Sequence, residues 1–158
     1  MTETTNTSRR AVVLGLAASV AFGRHALAQG LPTVAVTKDP ICGCCEKWVA
    51  HLRESGFSVT VTVGPVNPLK VRLGLPRDLA SCHTAQVGGY VVEGHVPAGA
   101  IKRLLAERPQ GTGLAVPGMP AGSPGMEVEG MEPDAYDVVL FGPAGRSTFA
   151  RYRGGIAL

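Results

Sequence analysis

A layered α/β fold is what this chain predicts, and three observations predict it. Two runs rich in β-branched residues, "TVAVTK" (33–38) and "FSVTVTV" (57–63), bracket a stretch with helical periodicity. A further extended region, "AQVGGYVVEG" (85–94), contains a two-glycine turn. An amphipathic stretch, "PAGAIKRLLAER" (97–108), closes the series. The order β-α-β-(short α)-β-β-α matches a thioredoxin-like three-layer core, although order alone also suits other α/β layers.

Each element has a local reason. The first run is a buried strand ended by Asp39-Pro40. In the helix that follows, Cys45, Trp48, Val49 and Leu52 recur at i, i+3, i+4 and i+7, and Gly56 stops it. The run 57–63 is the second strand. "NPLKVRLGL" (67–75) predicts a short helix with Asn67 as cap and Pro68 at its first position. Gly88-Gly89 turns the hairpin, and Pro97 opens a helix that faces Ile101, Leu104 and Leu105 inward. Between Pro109 and Pro133, 11 of 25 residues are Gly or Pro, so no regular helix or strand is expected there. A connection this long inside a small domain is usually functional or disordered. "YDVVLFG" and "STFARY" then form a C-terminal strand pair.

The N-terminal segment reads as an export signal. Arg9-Arg10 leads into an apolar run from Ala11 to Phe22, and "ALA" (26–28) supplies a small-x-small cleavage site. The apolar run reaches only about 18 Å at roughly 1.5 Å per residue, short of a ~30 Å hydrocarbon core. The expected organisation is a twin-arginine signal peptide over 1–28 and one thioredoxin-like metal-binding domain over 29–158, located in the periplasm with no membrane attachment after cleavage. Losing 1–28 removes Arg9, Arg10, Arg24 and Glu3, which leaves 12 basic against 11 acidic residues and a net charge of +1. No Lys/Arg run exists and aromatic residues are few, so nothing suggests a nucleic-acid surface and no nucleic-acid partner is expected. There is no internal repeat and no heptad pattern.

Three of the four cysteines, Cys42, Cys44 and Cys45, stand within "CGCC", and Cys82 lies in "LASCHTAQ". Two structural disulfides explain this poorly. Cys44 and Cys45 are neighbours, and a Cys42–Cys45 bridge closes too small a loop to add much stability. Cys42 and Cys45 have C-x-x-C spacing at the start of a helix, where unpaired N–H groups favour thiolates. A two-electron dithiol has no need of Cys44. In a thioredoxin-like fold the loop before the hairpin faces the C-x-x-C loop, so Cys82 joins the other three at one end of the sheet. A four-cysteine zinc site favours two pairs of ligands. Three clustered thiolates plus one suit bridging sulfurs shared among several Cu(I) ions, which soft thiolate ligands select.

Other donors are nearby in sequence. His83 is either a nitrogen ligand beside Cys82 or an exposed loop histidine. His95, in "EGHVP", is expected to hydrogen-bond at the start of a helix, and His51, off its helix's apolar stripe, is expected to be solvated. Met119, Met126 and Met131 lie in the Gly/Pro-rich loop, away from helical spacing. Their thioethers either deliver or cap Cu(I), or pack under the loop as flexible fillers.

"CGCCEKWVAHL", "SCHTAQVGGYVVEGHVPAGAIKRLLAERP" and "GLAVPGMPAGSPGM" together resemble the CopG-type family of exported bacterial copper-resistance proteins, over about Thr33–Met126. The resemblance implies a thioredoxin-like fold, a cysteine-bridged copper cluster and a redox role in copper handling. By position it points to Cys42, Cys44, Cys45 and Cys82, with His83 a further candidate ligand. The expected partners are copper ions and other periplasmic copper-handling proteins. No catalytic residue is assigned. Two rivals stay open: a thiol–disulfide oxidoreductase using Cys42 and Cys45, and an iron–sulfur electron carrier held by four thiolates.

Overall fold

The computed structural model describes Met1 and residues 30–158; the expected signal segment lies outside the described residues. The chain runs β1 (Val34–Lys38), α1 (Gly43–Glu54), β2 (Val59–Val63), α2 (Val66–Arg72), a 3-10 turn (Arg77–Leu79), β3 (His83–Val87), β4 (Tyr90–Glu93), α3 (Ala98–Glu107), β5 (Gly113–Ala115), β6 (Ala135–Gly142), β7 (Gly145–Arg153) and β8 (Ile156–Ala157). All eight strands form one sheet in the order β2-β1-β3-β4-β5-β6-β7-β8. β1 and β2 are parallel, joined by the α1 crossover, while β3 and β4 form an antiparallel hairpin against β1. This is a thioredoxin-like α/β fold extended on one side by four further strands.

Strand alternation distributes the core over both faces of the sheet. Val34, Val36, Ala85, Val87 and Val92 pack with Trp48, Val49 and Leu52 of α1 and Ile101 and Leu104 of α3. Val91, Ala115 and Phe141 point the other way, onto Leu75 and Leu79 beside α2 and the 3-10 turn. The layers are therefore two helices, a sheet, and a shorter helical cover. The apolar stripe expected on α1 is the buried one: Cys45, Trp48, Val49 and Leu52.

Three expectations are corrected. α2 begins at Val66 with Pro65 as its N-cap, so Asn67 does not cap it. Val66 is buried, and its packing sets the helix start in place of the Asn-Pro signal. The Gly/Pro-rich stretch does hold a strand, β5, parallel to β4 and antiparallel to β6. Here neighbours on both sides supply the ladder that local propensity lacks. At Gly113 a Cβ would fall 1.8 Å from Val91 O, so glycine is what admits that close approach. Finally, a two-residue strand, β8, follows the expected C-terminal pair.

Candidate metal centre

The first turn of α1 presents the clustered cysteines. Cys42 is the N-cap residue, with extended backbone, and contributes no side-chain capping bond. Cys44 is half-buried, while Cys45 is on the buried stripe. Cys42 and Cys45 are joined by a disulfide; Cys44 and Cys82 are free thiols. The pattern predicts four thiols, whereas the structure has two thiols and a bridge. Cys44 Sγ lies 3.5 Å from Cys42 Sγ and 3.8 Å from Cys82 Sγ. All four sulfurs lie within 4.8 Å of one another.

Cys82 enters from the opposite loop and meets two imidazoles. Its Sγ is 3.2 Å from His83 Nδ1 and 3.2 Å from His95 Nε2. These three ligand atoms also lie within 4.8 Å of one another, so Cys82 belongs to both groups. His83 is the first residue of β3 and fully buried, which rules out an exposed loop histidine. Its ring lies 4.3 Å from that of Trp48 and 5.1 Å from that of His95. Trp48 is itself pinned by Nε1–H donating to Val96 O (2.9 Å). Among the described residues nothing hydrogen-bonds His83 Nε2.

The hydrogen bonds of His95 determine its tautomer. Nδ1 sits 2.8 Å from Pro124 O, and a carbonyl can only accept, so Nδ1 carries the proton. Nε2 is then an unprotonated acceptor aimed at Cys82 Sγ, whose S–H donates to it. A metal ion that displaced that proton would find a sulfur and a nitrogen already aimed at one point. Such backing of a histidine by a carbonyl is the usual way a ligand imidazole is oriented. His95 therefore does hydrogen-bond, as expected, and also presents a second nitrogen to the cysteines, which was not expected.

Burial governs the protonation states. It pushes the Cys82 thiol up to about 11, with the neighbouring Cys44 acting in the same direction. It pulls His83 down to about 3, helped by His95 and the Lys70 ammonium, and it lowers His95 as well. At neutral pH both imidazoles are neutral, the charge state that binds metal, and the Cys82 thiol must lose its proton to join them.

The Gly/Pro-rich loop closes the site from a third side. Ser81 Oγ–H donates to Gly118 O (2.6 Å), Pro124 holds His95, and Gly125 lies on the first turn of α1. Met119 is exposed and Met126 half-buried on this loop, whereas Met131 is exposed farther along it. Ile41, next to Cys42, is 97% exposed. His51 is half-buried and accepts the Ala98 N–H at Nε2 (3.1 Å), which corrects its expected solvation: α3 begins against it.

Residues 79–126 match a family described as "Protein of unknown function, DUF411". Two solved structures are similar to the chain, each with 46% sequence identity and a TM-score of 0.72. They are described as "Copper resistance protein copG- Form 1", covering 78% of this chain and 99% of that one, and "Form 2", covering 77% and 98%. No curated protein matches the chain. Among the described residues no helix is long and apolar enough to cross a membrane.

Proposed function

Because the chain belongs to the CopG family of copper resistance proteins, we propose that it holds Cu(I) at the meeting point of Cys42, Cys44, Cys45 and Cys82. The observation that carries this reading is the convergence of four sulfurs from two separate chain segments within 4.8 Å. Sulfurs so close can bridge, so one thiolate set can hold more than one soft ion. His83 and His95 add neutral imidazoles beside Cys82. We place the working protein in the periplasm, exported through its Arg9-Arg10 signal, where it sequesters copper and exchanges it with other copper-handling proteins.

The Cys42–Cys45 disulfide makes loading a redox event. Two electrons and two protons from an external dithiol convert the bridge into two thiols. Each Cu(I) then displaces thiol protons as it binds. In the bridged state only Cys44 and Cys82 remain as thiols, so oxidation removes half of the sulfur ligands. That same disulfide favours a second reading, a thiol–disulfide oxidoreductase using Cys42 and Cys45. Against it, Cys44 lies 3.5 Å from Cys42, close enough to intercept a mixed disulfide there.

Metal analysis together with an absorption spectrum, on protein purified from its own compartment, separates these readings and the iron–sulfur one. Copper reading predicts bound copper without visible bands, since Cu(I) has a filled d shell. Iron with intense visible absorption, or protein that is metal-free and turns over dithiols, would overturn it.

A further inference from the structure

On the face of the sheet away from α1, a buried ion pair stands directly behind the Cys82 segment. Lys70 of α2 pairs with Glu93 of β4, their side chains 9% and 0% exposed. Glu93 Oε1 also accepts the Ser81 N–H (2.6 Å), and Glu93 Oε2 accepts the Thr84 hydroxyl (2.6 Å). Lys70 Nζ donates to Thr84 Oγ1 as well (2.8 Å). Ser81 and Thr84 flank the dipeptide Cys82-His83. One carboxylate thus grips both ends of the segment that carries a sulfur and an imidazole of the site.

The same carboxylate is tied to His95 through the backbone. Glu93 is followed by Gly94, whose N–H donates to His83 O (3.2 Å). Gly94 has φ +71°, and a Cβ there would meet Ser81 Cβ and Val116 O, each at 2.7 Å. Glycine is needed for this close approach of the two hairpin arms. Stability alone does not account for the ion pair, because apolar residues of similar volume often replace a buried pair at no cost. Apolar residues cannot supply direction. A carboxylate accepting charge-assisted bonds from two points fixes the loop in register and orientation, as outer-shell carboxylates do around metal ligands.

We propose that Glu93, neutralised by Lys70, is a positioning residue that sets Cys82 Sγ between Cys44 Sγ and His95 Nε2. Its effect on copper rests on the function proposed above; its effect on the geometry of Cys82 does not. The test compares Glu93→Gln, Thr84→Val and Thr84→Ser with Leu104→Ala, a fully buried α3 residue in the core cluster on the other face of the sheet. Two quantities are read well below each variant's melting temperature. One is the rate at which iodoacetamide alkylates Cys82 relative to Cys44 in metal-free protein, resolved by peptide mass. The other is Cu(I) affinity against a competing chelator.

Glu93→Gln is expected to raise the Cys82-to-Cys44 alkylation ratio several-fold and to weaken Cu(I) binding roughly tenfold, the lower end for outer-shell partners. Thr84→Val should move both in the same direction by less, and Thr84→Ser, which keeps the hydroxyl, should restore both. Leu104→Ala should lose stability and move neither. If Glu93→Gln and Leu104→Ala shift the two readouts alike, the network is structural and the proposal fails. Should Glu93→Gln not fold, the Thr84 pair decides: Thr84→Val indistinguishable from Thr84→Ser overturns it. Wild-type protein that binds no Cu(I) would defeat the copper reading, while the alkylation ratios would still decide the role of Glu93.

Discussion

Replacing Gly125 by alanine tests how the Gly/Pro-rich loop is seated on the cysteine cluster. Gly125 has φ +88°, and an added Cβ would stand 2.8 Å from both Cys44 O and Trp48 N. Two costs follow. An L-residue in left-handed backbone costs roughly 1–2 kcal/mol. Crowding against backbone that cannot rotate away adds about 1–3 kcal/mol. Gly118 is the control, since it has φ +70° with nothing within 4 Å of an added Cβ. Gly118→Ala should carry the first cost alone, and the entropy that alanine removes from the unfolded chain cancels between the two variants. Urea unfolding of metal-free protein should therefore place Gly125→Ala below Gly118→Ala by about 1–3 kcal/mol. For a domain of this size that is on the order of 3–6 °C in melting temperature per kcal/mol. Equal stabilities for the two variants would refute the reasoning and mean that the loop lifts off α1 freely.

His51 yields a pH prediction. Burial holds it below its ordinary value of 6.5, against the opposing charges of Glu127 and Glu54. The unfolded chain then binds the proton first, so stability is lost as pH falls from about 6.5 towards the lower folded value. His51→Gln should flatten that loss in metal-free protein, by at most about 1.4 kcal/mol per pH unit, read from urea midpoints at pH 7 and pH 5; an unchanged slope would contradict it. Cys44→Ala should abolish tight Cu(I) binding while leaving any insulin-reduction activity intact or improved. Dithiol turnover by the wild type at rates far above free dithiol, retained in Cys44→Ala, would instead favour the enzyme. Changing Arg9 and Arg10 together to Lys should leave precursor in the cytosol, checked by fractionation; normal export would show that the pair is incidental.

Much of this site could be read from local pattern, because the relevant signals are short-range. The i, i+3, i+4, i+7 stripe of α1 places Cys45 inward, and Gly88-Gly89 marks the hairpin. The turn also carries a longer-range signal. A two-residue turn there pairs Thr84 with Glu93, and the same register two residues farther along puts Cys82 opposite His95. Extending it would have brought His95 to the sulfurs. Other features have no local signature. Lys70 and Glu93 are 23 residues apart and meet only because α2 packs behind the hairpin. β5 exists because β4 and β6 flank it, and His51 is covered because α3 begins on it. The redox state of Cys42 and Cys45 is likewise invisible in spacing, since C-x-x-C suits a bridge and a pair of ligands equally.

The central claim, that the three clustered sulfurs and the distant one form a single copper site, is tested most directly by Cu(I) titration of fully reduced protein against a competing chelator. Wild type should bind more than one ion per chain tightly, and Cys82→Ser should weaken binding as severely as Cys42→Ser. Cys82→Ser that binds like wild type would contradict the account, because it would remove Cys82 from the site that its 3.8 Å approach to Cys44 builds.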